Sequence, residues 1–513
     1  MSDQYLMALD AGSGAGRCVL MSLDGQKVIS AYQEWGYTTP PGLGMMAVDF
    51  DPGQFWKILA EASCRAIAKA GIQPEQVVAV SSTSQREGIV LLDEYGKEVY
   101  AGSNHDYRAV IEGMQLTNTY GDDMYRRSGH FPIGLTGAAR LMWFKNRNPN
   151  VYGQIRHMLS INDWILFHLS NEYVCEPTNA AETSLYDLTA GDWMYDVIEK
   201  VELQKDVFPK VLTAGTQVGV VVKQAAIDTG LRLGTPVVIG GADTQCGLLG
   251  CGCLRPNDIA AVSGTSTPVQ MVTALPLVDP AQRLWGGAHV VPGMFIAESI
   301  AGQSGSIYQW YRETFCGDLV ERAKATGLNP YEVINAEADQ APVGCNGVQS
   351  FVGVMIMDAK SMKLPPNILV LGMSPLASPS QSSRPLVTRA ILESLAFAVK
   401  ANTQQVLDVS GQVPTSMGVC GGLANSRLYL ELLANTLHLP VRVPKIKEGT
   451  AVGAAICAGV GGNVFHSFDE GVDALVHIES VVQPDEKLSK QYGNFYRRWS
   501  KTLEPLMALS SRM

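Results

Sequence analysis

Several short stretches of this 513-residue chain carry residue types that could manage a phosphate, a metal ion and a proton. Asp10-Ala11-Gly12-Ser13-Gly14-Ala15-Gly16-Arg17 leaves an apolar run with a carboxylate, small residues and a cation. Backbone N–H groups in such a turn can cradle a phosphate, and an acid beside it can hold hydrated Mg²⁺. A plain glycine hairpin is the competing reading. Gly264-Thr265-Ser266, roughly 250 residues later, offers a second turn of the same kind after another apolar run. Two such turns facing each other would grip a polyphosphate from both sides. Gly240-Gly241-Ala242-Asp243-Thr244-Gln245 presents an acid after two glycines. Asp243 can cap a helix or act as a general base where two halves of the molecule meet, and the two readings are compatible.

Ser84-Gln85-Arg86-Glu87-Gly88 follows the apolar strand Val77–Ser81. Open α/β sheets bind ligands at the carboxyl ends of their strands, and these side chains offer donors and acceptors suited to vicinal hydroxyls. A surface ion pair is the alternative. Asn104, Asp106 and Arg108 add a second polar cluster. Gly421-Gly422-Leu423-Ala424-Asn425 would let a flat ring approach the backbone, whereas Glu448–Ala455 reads as a helix packed closely through small residues. Cys246, Cys251 and Cys253 have no neighbouring histidine, so close helix packing explains them better than a metal site. There is no G-x-x-x-x-G-K-[ST], no G-x-G-x-x-G opening a helix, no G-x-S-x-G and no H-E-x-x-H.

The elements that must position these residues alternate between strand and helix, which favours an α/β architecture. Tyr5–Leu9, Arg17–Ser22 and Lys27–Trp35 read as strands, with Asp10–Gly16 and Asp24-Gly25 as turns. Gln54–Ala70 has apolar residues at helical spacing and ends at Gly71. The second half restarts alike. Pro236–Ile239 is a strand, Gly240-Gly241 a turn, and Asp243–Gly252 a helix. Ile259–Val262 and Val269–Val272 then flank the turn at Ser263–Ser266. Two similarly built domains are expected, 1–254 and 255–513. Leu364–Ser383, with four prolines, reads as a loop or insertion.

Composition narrows the class. Charged residues make up 17% and hydrophobic residues 46%, so disorder and coiled coil are excluded. Thirty-nine basic against 49 acidic residues give a net charge of −10, the wrong sign for a nucleic-acid partner. The ten cysteines show no disulfide spacing, a strand begins too early for a signal peptide, and the uncharged stretches Ile259–Val278 and Leu364–Ser383 are too broken by polar residues and proline to span a bilayer. A reduced, cytoplasmic, non-membrane protein is expected.

In order along the chain, these segments resemble the FGGY carbohydrate kinases, from Leu6 to about Gly462. The resemblance implies two ribonuclease-H-like (actin-like ATPase) domains around a cleft, with ATP and a small sugar as partners and Mg²⁺ as cofactor. A homodimer stays open. It implies Asp243 as catalytic base and Asp10 as the residue holding Mg²⁺ through water. Nucleotide binding falls to Gly12, Ser13, Arg17, Gly264, Thr265, Ser266, Gly305, Gln309, Gly421, Gly422 and Asn425. Sugar binding falls to Gln85, Arg86, Glu87, Asn104, Asp106 and Gln245. Two departures bear on the acceptor. Asn104 stands where glycerol and xylulose kinases usually carry Trp, and Val354–Lys363 with the proline-rich loop replaces the usual Gly-Glu-Arg segment. Arg86–Val90, Asn104 and Glu176-Pro177-Thr178-Asn179-Ala180 are most similar to the branch acting on autoinducer-2, a branched pentose-derived signal, and next to the xylulose kinases. A non-catalytic sugar or nucleotide regulator on the same fold, and a chaperone-like ATPase working with a partner protein, are the remaining alternatives.

Overall fold

The seven residues of β1 (Tyr5–Ala11) are all buried, the mark of a strand covered on both faces. The computed structural model describes residues 4–361, 367–373 and 383–510. β1 pairs antiparallel with β2 (Ala15–Ser22), which pairs antiparallel with β3 (Val28–Glu34). On its other side β1 runs parallel to β4 (Val77–Ser84), and β4 to β6 (Pro236–Ala242), with β5 (Gln217–Val220) antiparallel at the edge. The sheet order is therefore β5-β6-β4-β1-β2-β3.

The second sheet repeats this plan. β7 (Ile259–Val262) pairs antiparallel with β8 (Pro268–Thr273) and parallel with β11 (Met417–Cys420). β8 pairs antiparallel with β10 (Phe295–Ile300), and β9 (Trp285–Ala288) adds an edge. β12 (Val441–Pro444) runs parallel to β11, and β13 (Ile478–Val482) antiparallel to β12. Strands β3, β2, β1, β4 and β6 thus correspond in order and direction to β10, β8, β7, β11 and β12.

The helices follow from local chemistry. α1 (Pro52–Ala70) begins two residues before the expected Gln54, because Asp51 accepts the Gln54 N–H at 3.1 Å and Pro52 suits the first turn. It buries Phe55, Leu59, Ala62 and Ala66 and stops at Gly71, φ +65°. Two expectations need correction. The turn after β1 is shorter than Asp10–Gly16, since both strands extend to leave Gly12–Gly14. Gly240 and Gly241 are strand, not turn. A Cβ on Gly240 would collide with the Ser82 carbonyl of β4, and one on Gly241 would meet Val290 at 2.5 Å. Their small size permits close strand packing, and the register shift between Val238 and Gly241 sits there. Most of the expected loop Leu364–Ser383, and the end of Val354–Lys363, lie outside the described residues.

Between β4 and β6 the chain adds a three-stranded sheet (Glu98–Gly102, Ile89–Leu92, His157–Ser160) with its own core, including Leu91, Phe144 and Trp193. α2 (Pro177–Glu182) belongs to this addition. Where the sheets meet, α3 (Asp243–Gly250) packs on α7 (Gly449–Gly461). A Cβ on Gly453 would collide with the Cys246 carbonyl and one on Gly250 with that of Gly449, so glycine alone permits this approach. Cys246 is buried in this packing, whereas Cys251 and Cys253, just beyond the end of α3, are buried against the second sheet with Ala260, Val272 and Cys420. α7 also lies against β1, β4 and β6, and its Ala451, Val452 and Ile456 belong to the first sheet's core. Among the described residues no helix is long and apolar enough to cross a membrane.

Candidate active site

A cavity of about 690 Å³ opens between the sheets and is lined from both. The first contributes Asp10, Gly12, Ser13, Arg17, Arg86, Glu87, Asn104 and Asp243. The second contributes Gly264, Thr265, Ser266, Gly421, Gly422 and Asn425. All but Asn104, which follows the added sheet's strand Glu98–Gly102, come from ends of the central strands or the segments beyond them, where backbone polarity is left over for a ligand.

Asp243 opens α3, and its carboxylate accepts the Thr244 N–H at 2.7 Å. The residue before it is clamped. The Ala242 N–H donates to Thr178 Oγ1 at 2.9 Å, that hydroxyl donates to the buried Glu176 carboxyl, and Thr83 donates to the Gly241 carbonyl at 2.8 Å. Burial pushes Asp243 up to about 7; Arg86 pulls it down and Asp10 pushes it up again. A carboxyl poised there can take a proton near neutral pH. Asp10 is also raised, by burial first and against the pull of Arg17, and accepts the Thr450 hydroxyl at 3.2 Å.

The two glycine turns are held differently. In the first, the Gly12 N–H donates to the Ala15 carbonyl at 3.1 Å. In the second, the Ser263 N–H donates to Cys420 at 2.8 Å, and the Ser306 N–H at the start of α4 (Ser304–Phe315) donates to the Thr265 carbonyl at 3.2 Å. Gly421, φ +89°, presses on this turn so closely that a Cβ would stand 2.5 Å from the Ser263 carbonyl.

Five expected site residues lie outside the cavity wall. Gln85, buried, donates to the Tyr37 hydroxyl at 3.2 Å and accepts the Asn104 N–H at 3.2 Å, bracing the loop from behind. Asp106 is fully buried and accepts Arg108 Nε at 2.7 Å and the Val48 N–H at 3.1 Å. Gln245 is buried against the Thr244 hydroxyl, 2.6 Å away. Gly305 sits beneath the second turn, where a Cβ would collide with the Gly264 carbonyl. Gln309 points outward and donates to Glu313 at 2.9 Å. Asn104 does face the cavity: its Nδ2 donates to Ser13 Oγ at 3.1 Å, while its buried Oδ1 has no protein partner among the described residues.

Arg86 stands beside a group of acids that the sequence does not announce. Its guanidinium meets both carboxylate oxygens of Glu298 at 2.8 Å and Glu182 at 3.2 Å, and lies 5.4 Å from the Trp285 ring centre. Burial and mutual repulsion hold Glu87 and Glu182 well above the carboxylate range. A lone carboxylate in the apolar run Phe295–Ile300 was the available signal for Glu298, since a buried strand tolerates a charge only beside a partner. Tyr107, Leu135, Trp285, Ile300 and Met355 also line the wall, without a motif that announces them.

Comparison with known proteins agrees with this geometry. Residues 5–250 match the N-terminal domain and residues 259–462 the C-terminal domain of the FGGY family of carbohydrate kinases. The autoinducer-2 kinase of Escherichia coli (strain K12) is 34% identical over 513 residues, spanning 99% of this chain and 96% of that kinase. Two solved structures share the fold over nearly their whole length. Gluconate kinase from Lactobacillus acidophilus has a TM-score of 0.83 at 19% identity, covering 100% of both chains. Xylulose kinase from Rhodospirillum rubrum has 0.81 at 24%, covering 98% of this chain and 100% of that one. The chain belongs to the FGGY family of carbohydrate kinases, with its two-domain α/β fold, and is a phosphotransferase with a hydroxyl acceptor.

Proposed function

We propose that this FGGY family member transfers the γ-phosphoryl group of ATP to a hydroxyl of a small, branched C5-type sugar, autoinducer-2 or a close chemical relative. The carrying observation is the position of Asp243 in one cavity with both glycine turns and with Glu87 and Asn104. The identity to autoinducer-2 kinase over 99% of the chain supports the choice of acceptor. So does Asn104, which places a short polar side chain in the cavity wall.

On this reading Asp243 accepts the proton of the attacking hydroxyl, and Arg17 with the N–H groups of Ser13–Gly14 and Thr265–Ser266 holds the phosphates, Gly12 and Gly264 shaping the two turns. Glu87 and Asn104 orient the acceptor, while Gly421, Gly422 and Asn425 border the base of the nucleotide. Gln85, Gln245, Asp106 and Gly305 support those residues from behind. Phosphoryl transfer draws its rate from such positioning and charge stabilisation. Among the described residues no cluster of three or more acids, histidines or cysteines could hold a metal unaided. That suits Mg²⁺, which takes one or two carboxylates and completes its shell with water and substrate phosphates. Asp10 is the residue we assign to it, and the ion would neutralise charge on the transferring group. We place the sugar-binding domain at 1–254 and the nucleotide-binding domain at 255–513. ATP as donor and the ten unpaired cysteines favour a cytoplasmic setting.

The test is ADP release with a panel of ketoses, polyols and autoinducer-2, with mapping of the phosphorylated position. Greatest kcat/KM on autoinducer-2 supports the proposal. Greatest kcat/KM on D-xylulose replaces the acceptor, and sugar-independent or absent turnover overturns the reaction.

A further inference from the structure

We propose that Glu298 is a positioning residue for the acceptor: reaching over from the nucleotide-side sheet, it fixes the Arg86–Glu87 loop. The acceptor pocket then takes its working shape only when the two sheets stand at one separation. The inference rests on the sugar-kinase reading above.

Arg86 extends from the end of β4, and three of its five N–H bonds go to buried carboxylates. The fork-to-fork pair with Glu298 fixes both distance and orientation. Glu298 is fully buried on β10, and Gln270 on β8 donates to it from the side. Trp285 on β9 packs against the guanidinium. Three neighbouring strands of the second sheet therefore hold one residue of the first.

Glu87 depends on that hold. Its φ is +55°, a conformation that a non-glycine residue keeps only where the surroundings impose it. Glu87 lines the cavity, and its carboxyl is acted on by burial and neighbouring charges with no hydrogen bond given to it among the described residues. The place of this acceptor-facing group is thus set through its neighbour, Arg86. Beyond Glu298 the chain continues through Gly302 and Gln303 in the cavity wall to α4, whose Ser306 N–H holds the Thr265 turn. A single segment touches the acceptor loop at one end and the phosphate turn at the other. A pair present only for stability would be a weak device, because desolvating two charges offsets most of their attraction.

The test compares Glu298→Gln and Gln270→Met with the wild type. Acceptor KM is measured from ADP release, and ADP affinity by calorimetry. Removing the charge from Glu298 should raise acceptor KM by about tenfold or more. ADP affinity should stay within about twofold, and kcat should fall less than KM rises. Gln270→Met leaves the carboxylate in place and should give the same signature at smaller size. It decides the matter if Glu298→Gln does not fold. Unchanged acceptor KM in the folded variants overturns the proposal, as do equal losses of ADP and acceptor affinity, which mark a purely structural pair. A wild type without sugar-dependent ADP release removes the kinase reading, and this inference with it.

Discussion

The loops after β4 and β11 occupy the same place in two sheets of matching strand order, yet they are built from opposite materials. After β4 come Gln85, Arg86 and Glu87, charged or strongly polar and cross-braced by buried acids. After β11 come Gly421 and Gly422, with nothing beyond the backbone to offer. The contrast follows from the expected ligands. A sugar is a set of directional hydroxyls and is read by side chains, whereas a phosphate chain and a flat base are met by N–H groups and bare backbone. Buried carboxyls do not follow this division: Asp163 and Glu176 lie in the first half, Glu298 and Glu393 in the second.

If the halves divide the work this way, variants should separate reaction, donor and acceptor. The largest effect belongs to the reaction. Asp243→Asn should lower kcat about 10²–10⁴-fold, while ADP affinity by calorimetry stays near wild type. A drop of only a few-fold would leave Asp243 as no more than the start of a helix. Next is the donor side: Thr265→Val should weaken ADP by roughly 10–150-fold and leave acceptor binding nearly untouched. Equal losses on both sides would erase the division. On the acceptor side, Asn104→Trp replaces a polar wall with an apolar one. The kcat/KM ratio of autoinducer-2 to xylulose should shift toward xylulose by about tenfold, with ADP affinity constant. Proportional loss on both sugars would deny Asn104 a part in selection.

The smallest effect concerns stability. The folded carboxyls of Asp163, Glu176 and Asp243 keep their protons to about 7, 8 and 7, whereas the unfolded chain releases them near its ordinary values of 3.8 for aspartate and 4.5 for glutamate. Between those limits the unfolded state binds fewer protons, so raising the pH favours unfolding. The Tm of the ligand-free protein should therefore fall by a few degrees between about pH 5 and pH 8. Asp163→Asn should flatten part of that slope. A Tm that rises across the window would show these acids to be ionised in the fold.

The sequence made the strands legible because their apolar runs were unbroken, and the chemical turns legible because each joins glycine to Asp, Ser, Thr or Asn after an apolar run. It misled at Gly240-Gly241, where Gly240 answers a neighbouring strand and Gly241 the side chain of Val290, rather than a bend. It could not show that Gln85 and Asp106 face away from the cavity while the adjacent Arg86 and nearby Asn104 face it, since that depends on how the loop is braced. The partners of Arg86 were hidden for another reason. Glu182 and Glu298 lie about 100 and 200 residues away, and no local pattern records a long-range pair.

The helix α7 also has a bearing on how the chain is made. Ala451, Val452 and Ile456 complete the core of a sheet whose strands end at Ala242, so the first half leaves the ribosome with an open apolar face. Synthesis at about 5–20 residues per second leaves that face uncovered for roughly 10–40 s until residue 461 is made. During that interval the nascent first half should be a client for chaperones rather than a finished domain. A chain stopped at residue 254 should accordingly be recovered mostly as aggregate, and supplying residues 255–513 as a separate chain should rescue part of it. A soluble, cooperatively melting 1–254 fragment would mean that the first sheet can close its core without the late helix.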